Sequence, residues 1–398
     1  MSYKILHFAD LHLEASFAHL RLPSHVGAAR RNDLRATLGR IMALAREHHV
    51  DAITIAGDLY DHEYALPDTA SLLVEQFGRI APVRVIISPG KADPCVTGSL
   101  YQFTEWPSNV TIFTKGALSP VELTPQILLW GAACPPSRGY ETVQPIRGGG
   151  SETSAQPFNI LLIHTLDAEE NPAQTASQDL FTLNIATLHY LGFDFALLGH
   201  EHSGRSWPHE RPSCVYPGSP EPFSAGEVEG NHGVTLVTVN EGTGAFDVDH
   251  IPLSQWRYAV AKADLTGCDN FAEAATRVRL ALSMCDTTDP ERLAAHIELV
   301  GRPLFDLDCT RLLDEVNLPP QVGLVDNTAP AYDIDRLLSE PTVRGLLAQQ
   351  LNSRLNTARD LAEAQTVHDT LRFSMAALEG KPIFVPRNAG YTQEGVEG

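Results

Sequence analysis

Four times in this chain an apolar, β-rich run stops at an aspartate or a histidine. The run 3–9 ends at Asp10-Leu11-His12, and the run 51–56 ends at Gly57-Asp58-Leu59-Tyr60-Asp61. The run 160–163 ends at His164, and the run 195–198 ends at Gly199-His200-Glu201-His202. Buried strands separated by helical stretches form an α/β fold, and ligands of such sheets gather beyond the carboxyl ends of the strands. The pattern therefore constrains the fold and the site together. It predicts an α/β sandwich flanked by helices, with Asp and His side chains collected at one edge.

Periodicity fills in the elements. Residues 32–48 read as a helix whose inner face is Leu34, Leu38, Ile41, Met42 and Ala45, and 67–80 as a second with Leu72, Leu73 and Phe77 inward. Residues 83–88 read as a strand, and apolar runs follow at 109–113, 127–133, 158–163 and 194–198. Residues 234–239 and 246–251 suit a closing antiparallel pair, and the Gly/Ser-rich 136–157 reads as a surface loop. Beyond 253–258 the pattern changes. Strands are expected at 258–265 and 294–300, and a helix at 271–284. A Pro/Asn-rich link at 317–332 and a helical stretch at 333–378 follow. The expected division is a domain at 1–255, a small α/β cap at 256–320, a helical region at 321–385 and a disordered tail at 386–398.

Length and composition bound the function. The 398 residues, 43% hydrophobic and 20% charged, suffice for two domains with a sizeable core. No apolar stretch reaches the length of a membrane span, and the first residues do not resemble a signal peptide. The six cysteines are scattered without a CxxC pair, which reads as reduced thiols in a cytoplasmic protein. The net charge of -20 argues against a general polyanion-binding surface. Residues 1–160 are nearly balanced, with 13 Lys+Arg against 15 Asp+Glu, whereas 161–398 hold 16 against 34. Nucleic acid would need a local patch. Arg30, Arg31 and Arg35, near the start of the first helix, are candidates to hold its phosphates. The alternative is an ordinary charged helix face pairing with Asp33 or Glu47.

The strand-end residues suit divalent metal. Asp10 and His12, like His200 and His202, are two apart, and in an extended segment such residues point the same way. Asp58 has two oxygens and can bridge. Such groups fit two ions about 3.5–4 Å apart acting on a phosphate ester. Imidazole and carboxylate together suit Mn, Fe or Zn. His62, directly after Asp61, is the best candidate among the other histidines for supporting a ligand.

The order D-x-H, G-D-x-x-D, a third strand-end loop, a lone His and G-H-x-H resembles the calcineurin-like metallophosphoesterases. Arg30-Arg-Asn-Asp-Leu34, the run ending at Asp61, and Tyr216-Pro-Gly-Ser-Pro-Glu-Pro-Phe-Ser-Ala-Gly-Glu227 with His232-Gly233 are similar to bacterial DNA repair exonucleases of the SbcD/YhaO type. The resemblance covers residues 3–255 well and the rest loosely. It implies a metallophosphoesterase sandwich with a small α/β C-terminal cap. Asp10, His12 and His202 would hold a first metal, Asp58 would bridge, and His164 and His200 would hold a second. It also implies manganese, DNA as substrate, an SMC-type ATPase partner, a homodimer and in-line attack of water on phosphorus. One loop departs from the family. Where the family reads G-N-H-D, this chain reads Gly90-Lys91-Ala92-Asp93. Lys91 stands at a ligand position and cannot coordinate a cation, and Ala92 stands at the position of a catalytic His and cannot give a proton. Losing such a proton donor typically costs about 10²–10⁴-fold in rate. The expectation is one firmly held ion, a weak or absent second, and Lys91 either lying between Asp58 and Asp93 or turned to solvent. Two rival readings follow: a catalytically impaired homologue serving as a DNA- or ATPase-binding scaffold, and a phosphodiesterase for a small substrate.

Overall fold

A computed structural model describes residues 2–17, 24–134, 157–167, 182–207, 213–224, 227, 231–285, 292–305, 307–319, 321–328, 334–358 and 361–380. The loop read at 136–157 and the tail read at 386–398 fall almost entirely outside these residues. The chain divides into two compact units, Met1–Arg257 and Tyr258–Gly398.

In the first unit the strands are, in chain order, β1 (Ser2–Phe8), β2 (Ala52–Ile55), β3 (Arg84–Ile87), β4 (Val110–Ile112), β5 (Ser119–Thr124), β6 (Ile127–Gly131) and β7 (Phe158–His164). There follow β8 (Leu166–Asp167), β9 (Thr182–Leu183), β10 (Phe195–Gly199), β11 (Arg205–Trp207), β12 (Cys214–Tyr216), β13 (Gly233–Asn240) and β14 (Phe246–Pro252). They form two six-stranded sheets, ordered β14-β13-β1-β2-β3-β4 and β11-β12-β10-β7-β6-β5. Strands β1 to β4 run parallel, as do β6, β7, β10 and β12. The expected antiparallel pair β13–β14 closes one edge of the first sheet.

Alternation along the strands sorts the side chains into layers. Ile5, Ala52 and Ile86 from one sheet, and Leu129, Ile160, Leu162, Phe195 and Leu197 from the other, share one buried cluster between the sheets. The residues next to them, Leu6, Ile53, Val85 and Ile87, face the opposite way and pack on Leu34, Leu38, Ile41, Met42, Leu73 and Phe77 of the flanking helices α1 (Ser24–Glu47) and α2 (Pro67–Gly78). Each such fully buried aliphatic or aromatic side chain contributes about 1.5–3 kcal/mol. On the far side of the second sheet, Leu161, Ile163, Ala196 and Leu198 pack with Leu188, Leu191 and Phe193. The α/β sandwich with helices outside is therefore the observed fold.

Two boundaries differ from expectation. Helix α1 begins at Ser24, not near 32. Its first turns, with Gly27 and two arginines, lack an apolar repeat, and Arg30 serves there as a core residue. In the second unit, residues 322–326, read as part of a link, form strand β17 (Val322–Asp326). It lies in a three-stranded sheet after β15 (Arg257–Asp264) and β16 (Leu293–Val300). The flanking Pro and Asn residues hide a five-residue strand that pairs in parallel with β16. Two helices, Phe271–Ser283 and Cys309–Val316, pack through Val278 and Leu312 onto this sheet's core. Three more, Ile334–Ser339, Val343–Leu355 and Leu361–Leu378, occupy the stretch expected to be helical.

Candidate metal centre

The parallel strands deliver their carboxyl ends to one edge of the sandwich. Gly199 pairs with His164 across β10 and β7, so the loops after both strands start at the same level. The loops after β1 and β2 run side by side. Asp10 N–H donates to Gly57 O (3.0 Å), His12 N–H to Asp58 O (2.9 Å) and Leu13 N–H to Leu59 O (3.0 Å). Neither Asp10 nor His12 lies in extended backbone. Asp10 (φ 54°), His12 (φ 45°), Asp58 (φ 50°) and His200 (φ 107°) all lie at positive φ. The alternation argument for i and i+2 thus fails here, and left-handed turns do the aiming. Such conformations cost of order 1–3 kcal/mol each and collect at functional sites. Gly57 (φ +83°) sits back to back with Gly90: a Cβ on Gly57 would come within 2.6 Å of Gly90 Cα and 2.7 Å of His164 Nδ1. Only glycine permits the second and third loops to approach this closely.

Ligand atoms converge in two clusters, Asp10–His12–His202 and Asp10–Asp58–His164, within each of which the atoms lie within 4.8 Å of one another. Asp10 is common to both. The resemblance gives the bridging place to Asp58. Asp58 Oδ2 does lie between the clusters, 3.6 Å from His12 Nε2 and 3.5 Å from His164 Nε2. His200 belongs to neither cluster. Its Nδ1 lies 3.2 Å from His164 Nε2, and its backbone N–H donates to the Asp10 carboxylate.

Each clustered imidazole is steered through its Nδ1, which turns Nε2 towards the carboxylates or, for His164, also towards His200. His12 Nδ1–H donates to Asp61 Oδ1 (2.7 Å), His164 Nδ1–H to Ala56 O (2.9 Å) and His202 Nδ1–H to Glu227 Oε1 (3.3 Å). A carboxylate or carbonyl on the far nitrogen is what orients a metal-binding histidine. His12 Nε2 is buried without a hydrogen-bond partner. A buried orphan nitrogen amid carboxylates is costly unless a cation takes its lone pair, so the residues fit a divalent ion. Phe223 walls the first cluster, its ring 5.2 Å from that of His12 and 5.5 Å from that of His202.

Charges inside the site agree. Burial alone would lower the His12 imidazole, but the hydrogen bond to Asp61 and the charges of Asp58 and Asp10 outweigh it and lift it to about 10. Burial would likewise raise Asp58, yet His164 and His12 hold it down at about 2. Burial and the neighbouring His164 push His200 down to about 3. The carboxylates demand positive charge, and imidazolium protons supply it until a cation displaces them.

A family model described as calcineurin-like phosphoesterase matches residues 3–204. The chain belongs to this family. It is also 26% identical over 275 residues to the uncharacterized metallophosphoesterase YhaO of Bacillus subtilis (strain 168), a match covering 67% of this chain and 64% of that protein. The chain thus spans a little under two thirds of that relative's length. Among solved structures, TT1561 of Thermus thermophilus shares 13% identity at a TM-score of 0.37, covering 63% of this chain and 99% of that one. The glutamine-dependent NAD+ synthetase of Acinetobacter baumannii shares 9% at a TM-score of 0.34, covering 96% and 74%. At these scores neither structure informs the fold, which rests on the family match.

Several nominated residues stand elsewhere than expected. Arg30 is 1% exposed; its guanidinium stacks over Phe17 (4.6 Å) and Trp256 (4.4 Å) and donates to Pro222 O (2.5 Å). It braces the core and cannot reach a phosphate. Arg35 is ion-paired, but with Glu14 and Asp68, both at 2.5 Å, and not with the expected Asp33 or Glu47. Arg31, in the same turn, is half-buried. Asp93 is wholly buried and does not face the site. Its Oδ1 accepts from Asp58 N (2.9 Å) and Gly90 N (2.6 Å), and its Oδ2 from Leu59 N (2.9 Å) and Tyr101 Oη (2.6 Å). Lys91 does not lie between the two aspartates but is exposed, and the Ala92 N–H donates to Asp58 Oδ1 (2.7 Å). His62 supports no ligand through its ring; its backbone N–H donates to Ala92 O. The supporting carboxylate is its neighbour Asp61.

The sequence reading missed Asp61 and Glu227 as steering groups. The signal for Asp61 lay within G-D-x-x-D. Glu227 closes the Tyr216–Glu227 motif, and the motif's other polar residues explain its place. His232 Nδ1 lies 3.1 Å from Ser219 Oγ, and its Nε2 lies 3.1 Å from Glu227 O. Ser219 N–H donates to His202 O (3.0 Å). The motif holds His202 and its carboxylate partner in register.

Proposed function

We propose that this calcineurin-like phosphoesterase hydrolyses phosphodiesters, with DNA as the substrate class, in the manner of a repair exonuclease. The observation that carries the hydrolase reading is the pair of ligand clusters sharing Asp10, with each imidazole aimed by a partner on its Nδ1. A bound divalent ion would activate water and polarise the phosphoryl oxygens. Asp10, His12 and His202 would hold one ion, and Asp58 and His164 with Asp10 would hold a weaker second. Manganese, an SMC-type ATPase partner and a homodimer belong to the same proposal; the motif resemblance over residues 3–255 supports them.

One observation favours the small-substrate reading instead. Two of the three arginines nominated for DNA phosphates are spent inside the protein, and the net charge is -20. The deciding experiment is manganese-dependent cleavage of single- and double-stranded DNA beside bis(p-nitrophenyl) phosphate, over a range of salt. DNA cleavage whose affinity falls steeply with salt supports the DNA reading. Turnover of the small ester alone supports the other. No turnover of either, with metal bound, would leave the scaffold reading.

A further inference from the structure

The loop from Pro89 to Pro94 carries two charged side chains that face opposite ways. Asp93 turns inward, and both its oxygens are filled by four donors. Lys91 turns outward and is exposed. The backbone fixes where Lys91 stands. On one side of it, Gly90 lies so close to Asp58 that an added Cβ would collide with Asp58 Oδ1. On the other side, Ala92 N–H donates to the same oxygen at 2.7 Å. Both neighbours of Lys91 therefore touch one carboxylate oxygen of the second cluster, and Lys91 springs from the rim of that cluster. The acids beneath do not consume its charge. Asp58 Oδ1 is taken by Ala92, Asp58 Oδ2 faces two imidazoles, and Asp93 is saturated.

Charge balance gives the ammonium a purpose. The carboxylates of Asp10 and Asp58 cancel one divalent ion, so a site with a single ion would have no net attraction for an anionic ester. We propose that Lys91 is a substrate-contacting residue whose ammonium takes a non-bridging phosphoryl oxygen at the rim of the Asp10–Asp58–His164 cluster. It supplies positive charge to the substrate directly, from outside the metal-ligand set. The inference builds on the hydrolase reading above, but phosphate binding tests it without turnover.

The experiment uses the full chain loaded with manganese. Inorganic phosphate binding is measured by calorimetry, metal content by mass spectrometry, and KM and kcat on bis(p-nitrophenyl) phosphate, for wild type, Lys91→Ala and Lys91→Arg. A lost charge-assisted hydrogen bond predicts that Lys91→Ala weakens phosphate binding and raises KM by about 10- to 100-fold. Metal content should stay unchanged and Lys91→Arg should restore most of the affinity. Phosphate affinity that ignores Lys91→Ala overturns the proposal while leaving the hydrolase reading intact. Extra metal in Lys91→Ala also overturns it, because Lys91 would then be a stand-in for a cation and not a contact to substrate. If wild type turns over no ester but binds phosphate through Lys91, the hydrolase reading fails and the contact stands.

Discussion

The loops after β1 and β2 and the loop after β3 are built from the same materials and end up with opposite tasks. Each places an aspartate beyond a buried parallel strand. Asp10 accepts one backbone N–H, from His200, and Asp58 accepts one, from Ala92. Lone pairs on both remain for a cation. Asp93 accepts three backbone N–H groups and the Tyr101 hydroxyl, and nothing remains. A carboxylate offers about four acceptor sites, and the number filled by the protein decides whether a strand-end aspartate is a ligand or a brace. Asp93 acts on the chemistry indirectly, by fixing the backbone of Asp58 and Leu59.

The difference can be broken at either end. Asp10→Asn removes the group common to both clusters and should lower ester hydrolysis by on the order of 10³-fold or more, since metal-centred charge stabilisation is worth several kcal/mol; steady-state kinetics with saturating manganese will show it. Asp93→Ala should act on folding first. Stripping a buried carboxylate from three N–H groups should cost roughly 3–5 kcal/mol in urea unfolding. A near-neutral result would mean that the brace is dispensable.

His7 gives a control that lies in the same strand but outside the clusters. It links the two sheets, with Nδ1 3.0 Å from Thr54 Oγ1 and Nε2 3.1 Å from Leu198 O. Burial pushes its imidazole down to about 4 from the ordinary 6.5. Between these values the unfolded chain binds the extra proton and the folded chain does not. Stability should therefore be full above about 6.5 and decline as pH falls towards 4, by up to about 3 kcal/mol from this group. His7→Gln should flatten that part of the stability profile relative to wild type. An unchanged profile would assign the slope to another imidazole that burial pushes down, His200 first.

Smaller effects sharpen the contrast. Asp61→Asn and Glu227→Gln keep the ligands but loosen their aim, and should each weaken manganese affinity by about 10- to 100-fold, read by metal titration. Arg35→Ala breaks a partly exposed ion-pair set and should cost no more than about 1 kcal/mol of stability. It should leave the salt dependence of any DNA binding unchanged; a shallower salt slope would return Arg35 to the nucleic-acid surface.

What could be read along the chain was what repeats locally. The strand ends and the apolar face of α1 follow from runs and spacings of a few residues, and five of the six nominated ligands, all but His200, lie in the two clusters. What could not be read depends on partners far apart in sequence. Arg30 becomes a core residue only because Phe17 and Trp256 sandwich it. Glu227 reaches His202 across 25 positions. The positive φ of Asp10 and His12 follows from pairing with the loop after β2, which no local rule announces. Asp93 looks like a site residue in sequence because its spacing is that of one; only its four donors show that it faces inward.

The account's central claim is that Asp10 joins the two clusters of one metal centre. The most direct measurement is the manganese content of purified Asp10→Asn beside wild type, by mass spectrometry after equilibrium dialysis, with folding checked by circular dichroism. The account predicts a folded variant that has lost nearly all bound manganese. A folded Asp10→Asn protein holding as much manganese as wild type would contradict it.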